Sequence, residues 1–313
     1  MPAMPAMPAL GIDLGGTKIE AALLDEAGRA TWRRRVATPA GDYTATVETV
    51  ATLAREARTQ AGGDCSIGIG TPGAADAAGL MKNCNSTCLN GQPLQRDIEA
   101  AVGQAVALAN DANCLALSEA TDGAGAGAAV VFAAILGTGA GAGIAVHGRV
   151  LAGANGLAGD WGHNPLPWAE ADADPHFDCH CGQRGCIETY VSGSGLARDH
   201  LHVTGHRITG EAIAQRAAAG DAACAATLER HAKRLARSLA SVINLLDPDV
   251  IVLGGGLSRM AHLYTRVPAL WSAWTLSGGA PLRTRLLQSV HGDASGVRGA
   301  AWLWRQYRPV STA

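Results

Sequence analysis

Leu10-Gly11-Ile12-Asp13-Leu14-Gly15-Gly16-Thr17-Lys18-Ile19-Glu20-Ala21-Ala22-Leu23-Leu24 reads as an apolar run of strand length, a glycine turn and a second apolar run. Glycine reverses the chain without steric cost, so the two runs form a hairpin. Ala30 to Val36 adds a third strand and completes an antiparallel meander. The same order returns later: Val130 to Leu136, a glycine loop at 137–143, then a strand from Ile144 to Val146. The recurrence points to two related halves.

Between and beyond these units strands alternate with helices. Thr44 to Ala61 carries Val47, Val50, Leu53, Ala54 and Ala57 on one helical face. Ser66 to Gly70 is a strand closed by Thr71-Pro72-Gly73, Leu94 to Val102 is helical, and Ala105 to Ala109 is extended. Asp111 to Ala120 is a helix with Asn110 or Asp111 at its cap. Leu228, Ala232, Leu235, Leu239, Val242 and Leu246 mark the face of a long helix, Ala222 to Leu246, stopped by Asp247-Pro248. Val250 to Leu253 is a buried strand, and Gly299 to Trp304 sits on a closing helix. The alternation predicts α/β architecture, and 313 residues predict two domains.

Hydrophobic residues make up 48% and charged residues 17%, a composition that buries cores. A net charge of -2 offers no footprint for nucleic acid or an anionic membrane. The opening Met-Pro-Ala repeat has no basic start and no apolar core of signal type, and is expected to fray on a cytoplasmic protein. Ala124 to Val146 is uncharged and long enough to span a bilayer, but six glycines interrupt it, which favours buried strands around a loop.

Three glycine turns follow apolar strands: Gly15-Gly16-Thr17, Gly137-Thr138-Gly139 and Gly254-Gly255-Gly256. Backbone N–H groups in such turns approach phosphate oxygens closely, so three together point to a bound polyphosphate. A Walker loop is excluded because no Gly-Lys pair occurs. A dinucleotide fingerprint can be forced on Gly137, Gly139 and Ala142, but a strand follows where that motif needs a helix. Asp13, beside Gly15-Gly16-Thr17-Lys18, is a turn residue or a holder of Mg²⁺ near phosphates. Asp111 is a helix cap or a base that accepts the proton of an attacking hydroxyl.

Of eight cysteines, Cys65, Cys84, Cys88, Cys114 and Cys224 are scattered and read as reduced thiols. Cys179, Cys181 and Cys186 cluster within one segment, and with His163 they supply the three thiolates and one imidazole of a closed structural zinc site. Gly182 and Gly185 let the chain curl round an ion; His180 is an alternative imidazole.

Four stretches resemble the ROK group of sugar kinases and repressors, in that group's order: residues 13–18, Asn110-Asp111-Ala112-Asn113, Gly156 to His163, and Cys179 to Glu188. The resemblance runs over nearly the whole chain from residue 10. Lys82 to Thr87, Leu89 to Pro93, His163 to Trp168 and the ending His291 to Trp304 are most similar to bacterial fructokinases of the manno(fructo)kinase type. The resemblance implies two actin-like ATPase (ribonuclease H-like) domains with sugar and nucleotide in the cleft between them. It implies a small domain of residues 1–118 plus 293–313 and a larger one, 119–292, carrying the zinc loop. Asp111 becomes the catalytic base, with Gly73, Asn83, Asn110, Asp160, His163 and Glu188 about the sugar. Asp13, Gly15, Gly16, Thr17, Lys18, Gly137, Thr138 and Gly139 stand near the ATP phosphates, and Gly254, Gly255 and Gly256 nearer its nucleoside. His163, Cys179, Cys181 and Cys186 become the zinc ligands, so the metal orients an imidazole that also meets sugar.

One departure is Asp160, where the family carries Glu; the side chain is one methylene shorter, which bears on affinity and sugar preference. The expected reaction is phosphoryl transfer from Mg-ATP to the C6 hydroxyl of a hexose, fructose above mannose, glucose or an N-acetylhexosamine. The family's repressors carry an added N-terminal DNA-binding region, for which the position of the Asp13 motif leaves no room; a non-catalytic sugar sensor is the other alternative. A homodimer is the family expectation.

Overall fold

The computed structural model describes residues 7–306, so the first two Met-Pro-Ala units lie outside them. The third is ordered rather than frayed, Pro8 O accepting from Ser66 N at 3.0 Å and Ala9 opening the first strand. The first half contains β1 (Ala9–Leu14), β2 (Lys18–Leu24), β3 (Ala30–Ala37), α1 (Tyr43–Ala61), β4 (Ser66–Thr71), β5 (Ala74–Ala75) and β6 (Met81–Lys82). It continues through α2 (Leu94–Val102), β7 (Ala107–Asn110) and α3 (Asp111–Asp122). The second half runs through β8 (Val130–Leu136), β9 (Ala140–Val146), β10 (Arg149–Val150), α4 (Glu188–Val191), α5 (Gly193–Thr204) and α6 (Gly210–Ala218). It ends with α7 (Ala222–Leu246), β11 (Val250–Gly254), α8 (Leu263–Trp271), β12 (Arg285–Gln288) and α9 (Ser295–Trp302).

The two halves share one plan. The first sheet has the order β3-β2-β1-β4-β7 and the second β10-β9-β8-β11-β12. In each, two antiparallel pairings precede two parallel ones: β1 pairs antiparallel with β2 and parallel with β4, and β8 does the same with β9 and β11. The glycine turns at 15–17 and 137–139 occupy equivalent places, so the recurrence in the sequence is a recurrence of topology.

α1 and α2 cover one face of the first sheet, with Val50, Leu53, Ala54 and Ile98 buried against Leu10, Ile12 and Ile69. Asp42 caps α1 by accepting from Ala45 N at 2.9 Å, and Gly62 ends it in the left-handed region. α7 covers the second sheet, burying Leu235 and Leu239 with Phe132 and Leu253. Asp221 caps it through Cys224 N, and Asp247 turns left-handed before Pro248.

α9 lies on β1 and β4, α3 lies on β8 and β9, and the two helices pack on each other between the sheets. Glycine makes this stack possible. A Cβ at Gly11 would fall 1.9 Å from Val297 O, one at Gly299 1.7 Å from Cys114 O, and one at Gly143 2.2 Å from Ala112 O. The last of these explains a difference from the sequence reading. β9 begins at Ala140 rather than Ile144, because Gly141 and Gly143 belong to a strand pressed against α3, leaving 137–139 as the turn.

α5, α6, α8 and β12 went unread in the sequence. α5 buries Gly195, Leu196, Asp199 and His200, and α6 buries Ile213 alone, so neither shows a clear apolar stripe. The uncharged stretch 124–146 is largely the β8–β9 hairpin, and no helix among the described residues is long and apolar enough to cross a membrane.

Candidate functional site

β7 ends at Asn110, at the C-terminal edge of the first sheet, and α3 begins at once. Asn110 caps that helix, its Oδ1 accepting from Ala112 N at 2.9 Å. Asp111 Oδ1 accepts from the same N–H at 2.7 Å. Burial pushes the Asp111 carboxyl above the ordinary aspartate range; the Ala112 amide and Asn110 pull it down, and the charge of Asp160 pushes it up again. A desolvated carboxylate of this kind is a stronger proton acceptor than one in water.

Asp111 lines a cavity of about 760 Å³ between the halves. Gly73, Asn83 and Asn110 come to it from the first half. Gly137, Thr138, Gly139, Asp160, His163 and Glu188 come from the second. Every residue expected to meet sugar is therefore at one cavity. A larger cavity, about 1360 Å³, adjoins it and is walled by the unread α5 and α6 and by Gly256. The two share Gly137 and Thr138, so the glycine turn stands where they meet.

The other glycine residues divide. Gly255, at φ +79°, packs against the 137 loop: a Cβ there would lie 2.6 Å from Leu136 O. Gly254 is buried at the end of β11 against Leu115 and walls neither cavity. Gly15, Gly16, Thr17 and Lys18 form the β1–β2 turn, where Gly15 N donates to Lys18 O at 3.1 Å. They too contribute no wall to either cavity. Asp13 sits behind that turn against the start of α9, with Gly296 close to its carboxylate.

Burial lifts the Asp13 carboxyl from 3.8 to about 6, with the charges of Asp111 and Glu20 adding to the lift and Lys18 opposing it. A lift of that size corresponds to about 3 kcal/mol that the ionised carboxylate costs the fold at pH 7. The cost is absent below pH 3.8, where folded and unfolded chains are both protonated, and is complete above about pH 6. Asp13→Asn is therefore expected to stabilise the ligand-free fold by ~1–3 kcal/mol at pH 7, with the gain shrinking as pH falls through 6. Urea unfolding at pH 4 and 7 measures it.

Glu188 opens α4 and ties three features together. Its Oε2 accepts from Ala140 N at 2.8 Å, beside Gly139, and its Oε1 lies 3.0 Å from His180 Nε2. A Cβ at Gly139 would lie 2.5 Å from Oε2, so a side chain there would displace the Glu188 carboxylate from its place beside the turn.

The ligand atoms of His163, Cys179, Cys181 and Cys186 lie within 4.8 Å of one another. Cys179 Sγ is 3.5 Å from His163 Nδ1, and Cys181 Sγ is 3.6 Å from Cys186 Sγ. Zinc bonds of about 2.3 Å to sulfur and 2.0–2.1 Å to nitrogen set tetrahedral edges of roughly 3.5–3.8 Å, which these separations fit. His163, Cys179, His180 and Glu188 form an overlapping group, so both histidines weighed in the sequence are at hand. The three-thiolate set suits zinc better, and Glu188 already has its own partners. Without an ion, burial and the neighbouring thiols push Cys186 up to about 12.

Buried ion pairs hold the chain entering this loop. Arg234, on α7, bonds Asp174 at 2.8 Å and Asp199 at 2.7 Å, and Arg237 bonds Asp174 at 2.8 Å. Sequence reading missed this network, since charges on a helix read as a solvated face. It also missed His180 as a partner of Glu188, and Asn113, whose buried Oδ1 has no protein hydrogen-bond partner and belongs to the cavity wall.

A repeated meander-and-crossover sheet, with carboxylates and glycine turns between its two copies, defines an actin-like ATPase fold. The chain belongs to the ROK family, whose profile matches residues 9–307. It is 40% identical over 298 residues to the N-acetyl-D-glucosamine kinase of Yersinia pseudotuberculosis serotype O:1b (strain IP 31758), covering 94% of this chain and 97% of that one. The ROK hexokinase of Thermus thermophilus superposes with a TM-score of 0.83 at 32% identity, covering 95% and 97% of the two chains. The ROK family glucokinase of Streptomyces griseus, solved with glucose and AMPPNP, gives a TM-score of 0.76 at 30% identity over 96% and 100%.

Proposed function

We propose that this protein is an ATP-dependent hexose kinase in which Asp111 is the general base. The observation that carries the reading is the meeting of two cavities at Gly137 and Thr138, with the buried Asp111 carboxylate in the wall of the smaller one. That arrangement supports a sugar in the smaller cavity and a nucleotide in the larger, with the reacting phosphate between them. Related kinases at 40% and 32% identity support the reaction class.

In the proposed reaction Asp111 takes the proton of the sugar C6 hydroxyl as its oxygen bonds to the γ-phosphorus. The bond to the β–γ bridging oxygen breaks, and ADP leaves. Asn110, Asp160, His163 and Glu188 orient the acceptor, while the Thr138 and Gly139 amides are proposed to face the phosphates, the Gly137 amide being taken by Gly139 O. Asp13, which lines neither cavity but whose carboxyl feels the charge of Asp111, is the residue proposed to hold Mg²⁺, directly or through water; the ion would supply charge neutralisation on the phosphates. Closure of the cleft over the bound sugar would exclude water as a competing acceptor.

His163, Cys179, Cys181 and Cys186 are proposed to hold a structural zinc ion, which would fix the loop carrying His163 and Glu188. Domains of residues 1–118 plus 293–313 and 119–292 are proposed, supported by α9 lying on the first sheet. The boundary at 118 falls within α3, which lies on the second sheet, and residues 1–6 and 307–313 lie outside those described. A cytoplasmic homodimer rests on the resemblance alone.

Fructose is the proposed acceptor. Part of the signature shared with fructokinases, Asn83, Cys84 and Asn85, lies in the cavity wall, which supports a bearing on the sugar. N-acetyl-D-glucosamine is the second reading, favoured by the kinase that is 40% identical. A coupled ADP-release assay with Mg-ATP and fructose, mannose, glucose, N-acetylglucosamine or N-acetylmannosamine tests both. Fructose is expected to give the highest kcat/KM. A higher value with N-acetylglucosamine would replace the acceptor and keep the kinase, and no turnover from folded protein would favour a sensor.

A further inference from the structure

Lys82 ends β6, in the small hairpin of the first half, and its Nζ donates to Asn155 O at 3.0 Å. Asn155 belongs to the loop 151–160 of the second half, which enters the cavity wall through Gly156, Leu157, Ala158 and Asp160. One side chain thus grips the main chain of the opposite half beside the cavity.

Two further contacts lie along the same seam. Gly156 packs on β5, where an added Cβ would lie 3.6 Å from Ala75 O and 3.8 Å from Ala74 Cβ. The Lys82 charge also acts on Asp160: burial raises that carboxyl, and the charges of His163 and Lys82 draw it back toward ionisation. The loop has little core of its own, since Leu151 and Leu157 are both exposed. It is held internally by Gly156 N to Gly153 O, Ala158 N to Ala152 O and Asp160 N to Leu157 O. Its two ends are tied to β9, by Leu151 N to Ile144 O at 2.9 Å and Ala142 N to Gly159 O at 3.1 Å. Between them the Lys82 bond reaches it from the opposite half, so that bond weighs on the position of the loop's middle more than on global stability.

We propose that Lys82 is a positioning residue for the acceptor: it clamps the loop 151–160 across the seam and holds Asp160 at the cavity wall. The role rests on the reading of this cavity as the sugar site. With an aspartate one methylene shorter than the family glutamate, a clamp that fixes the loop keeps the shorter carboxylate within reach of a sugar hydroxyl. Asp160 supplies the contact, and Lys82, together with the Gly159 bond to β9, fixes where it stands.

Lys82→Met and Lys82→Arg, in the full chain, test this by two readouts. In ligand-free protein, hydrogen exchange at Gly156, Ala158 and Asp160 is expected to quicken at least threefold in Lys82→Met, with α7 amides unchanged. In the ADP-release assay, KM for the sugar is expected to rise five- to twentyfold, with kcat within threefold and KM for ATP unchanged. Lys82→Arg keeps a cationic donor and is expected to restore both readouts to within threefold of the native protein. Unchanged exchange in Lys82→Met overturns the clamp, whatever the cavity binds. Exchange quickened over the whole chain overturns it too, since Lys82 would then act through global stability. Faster loop exchange with an unchanged sugar KM overturns the positioning role. Absence of turnover in the native protein is a different failure, that of the kinase reading, and the exchange result still decides the clamp.

Discussion

Asp111→Asn is expected to lower kcat by about 10³-fold, within the range by which a positioned base accelerates a reaction. The fold should survive it. Asn110, not Asp111, is the helix cap, and the amide oxygen of the introduced asparagine can still accept from Ala112 N as Asp111 Oδ1 does. The substitution also removes a carboxylate that raises the pKa of Asp13, so thermal stability should be unchanged or higher. Sugar KM should move little, because Asn110, Glu188 and His163 remain at the cavity. What is lost is the proton acceptor. The native protein should show a matching acid limb in kcat/KM, lying above the ordinary aspartate range because burial raises Asp111. That limb arises from loss of the ionised base as pH falls. A variant retaining a tenth of native kcat would remove Asp111 from the role of base.

The second large effect is expected from the cysteine loop. Purified protein should carry one equivalent of zinc by elemental analysis, and Cys186→Ser should lose it. Structural zinc stabilises small zinc-finger peptides by roughly 10–16 kcal/mol, but here separate cores hold both sheets, so the loss should stay local. Cys186 stands two residues before Glu188, and His163 belongs to both the thiol cluster and the cavity. Loss of the ion should therefore raise sugar KM at least tenfold and quicken hydrogen exchange over residues 163–188, while α7 keeps its protection. Native protein with no bound zinc, together with a Cys186→Ser variant of native KM, would rule the metal out of this loop.

Much of the fold was legible because its signals are local. The apolar runs around Gly15 and Gly137 have strand length and end in glycine, and α7 buries Leu235 and Leu239 at helical spacing between an aspartate cap and Asp247-Pro248. The equivalence of the halves could be seen at the two hairpins and proved to extend to all five strands of each sheet. Less legible were elements whose burial depends on distant partners. Asp199 on α5 is buried because Arg230 and Arg234 of α7 reach it, which spacing within α5 does not reveal. Gly143 looked like loop glycine because the helix it presses against lies well before it in the chain. Among site residues, Asp111 and His163 stood in recognisable motifs. Lys82 and His180 also lay in such stretches, but their partners did not show, since Asn155 and Glu188 meet them only across space.

The most direct test of the central proposal is a ³¹P NMR spectrum of native protein incubated with Mg-ATP and the sugar that gives the fastest ADP release. A sugar phosphomonoester coupled to the two C6 protons, growing in step with ADP and absent with Asp111→Asn, is the expected result. Inorganic phosphate alone, or a sugar phosphate formed equally by Asp111→Asn, would contradict it.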